Sequence, residues 1–364
     1  MPVRYSYLQE QFKDCQDLWQ ELQSFVATGD FTLGKPLIEF ENKFAQLVGT
    51  SQAIGVNSGT DAIKIALKAL GIKPGDEVIT AANTFVATVG AINELGAIPI
   101  FIDVDDTFCM DVNQLERAIT QRTRAVVPVH FTGYMCQMDA IMSIAEKYEL
   151  MVVEDACQAI LAEWKGKKAG TFGHAAAFSL HPLKNLNVWS DGGMIVTNDV
   201  GLADSVKLLR NHGLVDRDTV KTLGYNSRLD TFQAVIGNWL IPKAVDISNK
   251  RRLNADILDD GLSKVKQIKI PNRPKDMRIV FHLYVVFAED RDGLLQHCLQ
   301  HGIEAKIHYP TPIYRQPAVS QFKVNDEFPI TDYQAKNIIS FPCDQHLSHE
   351  QIQEIVQVVR DYYA

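Results

Sequence analysis

The chain has 364 residues, more than one hydrophobic core usually supports, so two domains are expected. Apolar residues make up 46% and charged residues 22%, the balance of an ordinary globular protein. A formal charge of −8 argues against broad nucleic-acid binding, and apolar runs such as Ala97 to Ile102 are far too short to cross a bilayer.

In chain order, alternation begins near Ser51. A strand is expected at Ala53–Val56, then a helix at Thr60–Leu70 with Ile63, Leu67 and Leu70 at helical spacing and a stop at Gly71. Next come a strand at Glu77–Thr80, a helix from Thr84 to Leu95, a strand at Ile98–Ile102, a helix at Asn113–Ile119 and a strand at Thr123–Val129. A helix at Met138–Tyr148 leads to strands at Met151–Glu154, Ala175–Ser179 and Met194–Thr197. Strands alternating with helices imply a mostly parallel sheet covered on both faces. From Ser205 to Asp256 the texture turns helical, with a long helix from Thr231 to about Leu258 kinked near Pro242. Strands at Gln267–Ile270, His282–Phe287 and Ala305–His308, with helices at Asp292–His301 and Glu350–Tyr363, make an α+β tail. The expected division is a large domain at 1–249 and a smaller α+β domain at 250–364. The six cysteines (15, 109, 136, 157, 298, 343) are scattered without a C-x-x-C pair. They read as reduced thiols in a cytoplasmic protein, and Met1-Pro2-Val3-Arg4-Tyr5 has no signal-peptide pattern.

The informative chemistry sits at two strand ends. Val152-Val153-Glu154-Asp155 brings an acid to the end of an apolar strand, where α/β sheets bind ligands. Ala175 to Ser179 is a second apolar strand ending in a serine, and Lys184 follows shortly after. A carboxylate to hold a pyridine nitrogen protonated, an amine to form a Schiff base and a hydroxyl for a phosphate are what pyridoxal phosphate (PLP) requires. Asn57-Ser58-Gly59-Thr60-Asp61-Ala62 joins a strand to a helix, and free N–H groups at a helix start bind phosphate. Gly59 allows close approach, and Thr60 is a candidate cap. Phe85 is either a ring stacked on a flat cofactor or a core phenylalanine. Asp155 is also open to reading as a helix cap or a metal ligand, although no Asp, Glu or His cluster has ligand spacing and no metal is expected. Gln158 can touch the cofactor ring or brace the site. His181 is either a contact to substrate or cofactor or a structural histidine. The segments Gly224 to Asp230 and His308-Tyr309-Pro310 are a loop with a cap and a turn, or walls of a cleft.

At these residues the chain resembles the DegT-type sugar aminotransferases, a family of fold type I PLP enzymes. The likeness runs from Gly29-Asp30-Phe31-Thr32-Leu33-Gly34-Lys35 through Asn57 to Ala62, Ala81 to Thr88, Glu154 to Gln158, Phe178 to Asn185, Asp191-Gly192-Gly193 and Gly224 to Leu229, ending at His308-Tyr309-Pro310. It implies that Lys184 carries the cofactor and moves the proton, with His181 nearby, and that Asp155 pairs with the ring nitrogen. Phe85 would stack on the ring, with Gln158 at its other face or hydroxyl. Gly59, Thr60 and Ser179 would hold the phosphate. Asn226 would reach the phosphate of the other subunit in a homodimer with shared sites. Arg228 would help hold the donor's carboxylate, and His308 and Tyr309 would contact substrate. The implied reaction moves an amino group from L-glutamate to a keto-sugar, often nucleotide-linked, through pyridoxamine phosphate. Where many relatives have a Gly- or Thr-rich stretch this chain has Asn187-Val188-Trp189-Ser190, so Trp189 is expected to reshape the sugar pocket. The rival readings are another PLP reaction such as sugar dehydration, a PLP-binding regulator without turnover, and a metal-dependent enzyme using Asp155. Relatives that dehydrate replace the lysine with histidine, so Lys184 disfavours that branch.

Overall fold

The computed structural model describes residues 2–322 and 327–364. Seven strands form the central sheet: β1 (Gln52–Val56), β2 (Glu77–Ala81), β3 (Ile98–Ile102), β4 (Thr123–Val127), β5 (Met151–Asp155), β6 (Ala175–Ser179) and β7 (Gly193–Thr197). Their spatial order is β1-β7-β6-β5-β4-β2-β3. Five neighbours from β6 to β3 run parallel, and β7 is antiparallel to both β1 and β6. Parallel strands need crossovers, and the helices that supply them cover both faces. With both faces covered, β2 and β7 are buried along their whole length.

The small side chains of Ala175 and Ala177 let the helix Gly59–Ala69 pack directly on β6. On the opposite face Ala176 and Phe178 meet Phe44 of the helix Lys35–Val48, with the Phe44 and Phe178 rings 5.3 Å apart and edge-on. Arg210, at the end of the helix Val200–Arg210, fixes the edge of this layer. Its guanidinium pairs with Glu41 and donates to the Gly55 carbonyl at 2.7 Å, while Glu41 accepts from the Gly55 N–H at 2.7 Å. A largely buried ion pair thus stands in for ladder bonds on the open edge of β1.

The second unit has a three-stranded antiparallel sheet, β8 (Ile268–Lys269), β9 (Tyr284–Ala288) and β10 (Ile338–Phe341), in that order. The helices Ala244–Leu262, Arg291–Gln300 and His349–Tyr363 pack with it. Ser348 and Gln351 form a capping box that starts the last helix, which buries Ile352, Ile355, Val356 and Val359 at helical spacing. Residues near the amino end also join this unit: Val3 N–H donates to the Gly302 carbonyl at 2.8 Å and Tyr5 N–H to Glu304 at 2.8 Å. Among the described residues no helix is long and apolar enough to cross a membrane.

The architecture is the expected α/β sheet with a smaller α+β unit. Several elements differ in detail. The helix expected from Thr231 to Leu258 is two helices, Thr231–Leu240 and Ala244–Leu262, joined by a 3₁₀ turn at Ile241–Lys243, because Pro242 has no N–H to donate. Residues 211–223, within the stretch expected to be mostly helical, instead form a loop that runs on into the expected loop at Gly224–Asp230, with bridges at Asn211–Asn226 and Leu214–Val220. The strand expected at Ala305–His308 is a single bridge between Lys306 and Ser340. The cap of the helix Gly59–Ala69 is Ser58, whose Oγ accepts from Asp61 N–H at 3.1 Å, rather than Thr60.

Removing one partner of a mostly buried ion pair strands the other. Arg210→Met is expected to destabilise the fold by about 3 kcal/mol, and the double variant with Glu41→Met by clearly less than the sum of the two singles. Urea unfolding of the four proteins measures this coupling.

Candidate active site

The ends of β5 and β6 open into one cavity of about 390 Å³. Gly59, Thr60, Phe85, Asp155, Gln158 and Ser179 line it, as do His181, Lys184, His308 and Tyr309. The fold therefore brings together ten of the twelve residues expected at the site.

Glu154 and Asp155 are adjacent on β5, so their side chains leave on opposite faces of the sheet. Glu154 turns inward and is fully buried. It accepts from His130 Nε2 at 2.9 Å and from the N–H groups of Gly170, Phe172 and Gly173 at 2.8–2.9 Å. Burial pushes its carboxyl up, but these donors prevail and hold it below the ordinary carboxylate range. Asp155 turns to the cavity. Its Oδ2 accepts from Thr88 Oγ1 at 2.7 Å and its Oδ1 from Cys157 N–H at 3.2 Å, and Thr84 lies 2.7 Å behind Thr88. Thr88 also lines the cavity, and its place beside Asp155 was not anticipated from the sequence. Its signals were its place one helix turn after Thr84 and at the end of the Ala81–Thr88 block of the family likeness, neither of which gave it a role.

Lys184 follows a tight turn in which its N–H donates to the His181 carbonyl at 2.8 Å. Its own carbonyl accepts from Tyr7 Oη at 2.9 Å. Burial lowers the basicity of its amine below the usual 10.5, against the upward pull of Cys157 and Asp155. A less basic lysine is a better nucleophile near neutral pH. The same burial, with Lys184 and Lys306 close by, lowers His308 to about 4, and it pushes the Tyr309 phenol up to about 12. His181 is also lowered, by partial burial and then by Lys184.

At the other end of the cavity lies the start of the helix Gly59–Ala69. A Cβ on Gly59 would meet Ser179 Cβ at 2.8 Å and Cys157 Sγ at 2.9 Å. A Cβ on Gly193 would sit 2.2 Å from the Ser58 carbonyl oxygen. Both positions therefore need glycine for the helix start to sit against the ends of β6 and β7. A helix N-terminus beside the Ser179 hydroxyl suits a phosphate, and a carboxylate facing the cavity with an amine of lowered basicity suits a pyridine ring bearing an aldehyde. The residues present fit pyridoxal phosphate.

Phe85 is 47% exposed at the cavity wall, with its ring 5.5 Å from that of Tyr309, so it is not a core phenylalanine. Gln158 is braced: its Oε1 accepts from Thr132 N–H at 2.6 Å. Asn226 and Arg228 do not reach this cavity. They line a second one with Phe31, Thr32, Leu33, Asn57 and Asp230, where Arg228 donates to Asn211 at 2.7 Å. Trp189 also lies elsewhere, packed between Phe12, Trp19 and Phe232. Its bulk goes into an aromatic cluster rather than into the lining of the main cavity. Among the described residues no group of three or more His, Cys, Asp or Glu could hold a metal ion.

A family model for DegT/DnrJ/EryC1/StrS aminotransferases matches residues 13–360. The chain belongs to this aminotransferase family. It is 38% identical over 361 residues to the pleiotropic regulatory protein of Geobacillus stearothermophilus, covering 98% of this chain and 97% of that one. It is 37% identical over 363 residues to the dTDP-3-amino-3,4,6-trideoxy-alpha-D-glucose transaminase of Streptomyces venezuelae, covering 96% and 95%. Among solved structures, S. venezuelae DesV in complex with a ketimine intermediate superposes with a TM-score of 0.96 at 34% identity, over 100% of this chain and 98% of that one. The DegT-type fold thus extends over the whole chain.

Lowered basicity at Lys184 has a measurable cost. The unfolded chain binds that proton more tightly, so cofactor-free protein gains stability as pH rises toward 10.5, and the penalty is fully present below the folded value. Cofactor-free Lys184→Met is expected to be more stable than wild type at pH 7, with the gap closing toward pH 10.5. Urea unfolding across that range reads the gap, and a pH-independent difference would mean that the amine carries no such penalty.

Proposed function

We propose that this chain is a pyridoxal 5′-phosphate-dependent aminotransferase that moves an amino group from L-glutamate to a nucleotide-linked keto-sugar. The observation that carries the reading is the amine of Lys184, its basicity lowered by burial, sharing one cavity with the Thr88-anchored carboxylate of Asp155. Family membership and a dTDP-sugar transaminase among the relatives support the choice of reaction and acceptor. When bound, the cofactor supplies an aldehyde for the amine and a ring that takes up the electron pair released at the amino-bearing carbon.

The chain's own groups do the rest. Lys184 holds the cofactor at rest and then moves the proton at the carbon that gains or loses the amino group. Asp155 keeps the proton on the ring nitrogen, with Thr88 and the Cys157 N–H holding the carboxylate in place. Gly59, Thr60 and Ser179 bind the phosphate. Phe85 and Gln158 confine the ring, while His181, His308 and Tyr309 face the substrate. Lys184 and the transaminase relative favour turnover over a purely regulatory role.

The expected test is direct. Purified protein given PLP should show a visible absorbance band that shifts toward the near-ultraviolet when L-glutamate is added. Lys184→Ala should lose that band and transamination, and full activity in that variant would refute the reading.

The second part of the proposal is a cytoplasmic homodimer with shared sites. Asn226 is exposed, and the cavity it lines with Phe31 adjoins a half-exposed aromatic patch of Trp19, Phe31 and Phe232. Exposed apolar surface of this kind suits a second copy of the chain. If Asn226 serves the neighbour's phosphate, each site draws Lys184 from one chain and Asn226 from the other. Inactive Lys184→Ala chains refolded with weakened Asn226→Ala chains should then regain activity above the sum of the parents. Heterodimers without that gain would show that Asn226 acts within its own chain or not at all.

A further inference from the structure

Arg251 stands in the middle of the helix Ala244–Leu262 and is 3% exposed, yet it lines the main cavity. Three of its contacts are made. Nε donates to Gln345 Oε1 at 3.1 Å, and Nη1 donates to the carbonyls of Phe281 at 3.1 Å and His282 at 3.4 Å. The guanidinium carbon lies 4.9 Å from the centre of the Tyr7 ring. Nη2 is buried and has no partner.

The charge is unpaired as well. Among the described residues no carboxylate lies within ion-pair distance of Arg251, whereas buried Arg210 has Glu41 and Arg273 has Asp259. Asp344 lines the same cavity and feels the Arg251 charge, but its carboxylate is not within ion-pair distance. Its Oδ1 accepts from the His346 N–H at 2.8 Å, and burial raises its pKa above the ordinary aspartate range. A guanidinium buried without an anion is costly to hold. It is tolerated where a ligand completes it, and a fixed, planar donor group of this kind matches a carboxylate.

We propose that Arg251 recognises a carboxylate of the amino donor and of the oxo-acid left after transfer. The identity of that donor rests on the reading given above. The sugar ring of the acceptor brings hydroxyls, whereas a dicarboxylic amino acid brings carboxylates, the planar anions that a guanidinium fork matches. Arg228, which opens on the second cavity, is then free of that duty within its own chain. Gln345 and the Phe281 carbonyl hold the guanidinium in place, so binding does not have to order a long side chain.

Glutarate is an unreactive dicarboxylate that tests the site without turnover. Calorimetry on PLP-loaded wild type should show that glutarate binds and that its neutral diamide, glutaramide, binds far more weakly. Arg251→Met should weaken glutarate binding by about 30-fold or more, the loss expected for a charge-assisted contact. In rapid mixing with L-glutamate the apparent dissociation constant should rise more than the saturating rate falls, with the cofactor band unchanged. A merely structural role would disturb the band and the rate together. Arg251→Gln serves where the methionine variant does not fold. Equal binding of glutarate and glutaramide to wild type, or unchanged glutarate affinity in either variant, overturns the proposal. Wild type that binds glutarate but is not converted by L-glutamate would refute the functional reading and leave the Arg251 site standing.

Discussion

The interaction on which the site depends is the one that buries Glu154. Four donors converge on a carboxylate with no access to water: one imidazole and three backbone N–H groups. His130 Nδ1 accepts from the Cys136 N–H at 3.2 Å, which puts the imidazole proton on Nε2, facing Glu154. The knot therefore joins the end of β5, the loop after β4 and the segment 170–173 before β6. A one-residue slip in β5 would flip both acids to the opposite faces of the sheet, taking Glu154 out of this nest and Asp155 away from the cavity. Satisfying Glu154 fixes the register that aims Asp155.

The same economy of placement governs the phosphate end. Gly59 and Gly193 are not flexible joints here. Each is a place where one more carbon would collide with fixed atoms of a neighbouring segment. The helix Gly59–Ala69 can then approach β6 closely enough for its first N–H groups and the Ser179 hydroxyl to face one point. The small side chains of Ala175 and Ala177 serve that approach from the sheet side. Charge is handled differently at the two ends of the cavity. Asp155 is stabilised by donors from its own domain, whereas Arg251 is left one anion short.

Much of this was legible in the sequence because the signals were local. A strand ending in two acids, a strand ending in a serine with a lysine five residues later, and a glycine at a helix start each carry their chemistry within a few residues. What was not legible was long-range or brief. Thr88 matters through Asp155, which is 67 positions away. Arg251 looked like one charge among several in a helical stretch, and its burial depends on carbonyls 30 and 31 residues on. The strand β10, four residues long, begins where a helix ends and offers no period to read. Trp189 drew attention by its size, but its destination was set by Phe12, Trp19 and Phe232, which no local pattern connects to it.

The wall of the cavity away from the sheet is drawn from the two extremes of the chain. Tyr5 and Tyr7 come from its beginning, and Arg251, His282, His308 and residues 341–344 from its last third. The sheet that carries Asp155 and Ser179 is complete once β7 is made. The burial that lowers the basicity of Lys184 therefore needs both layers at once: loosening the segments that cover the sheet would return an ordinary, well-solvated lysine to the site without touching the strands that aim Asp155.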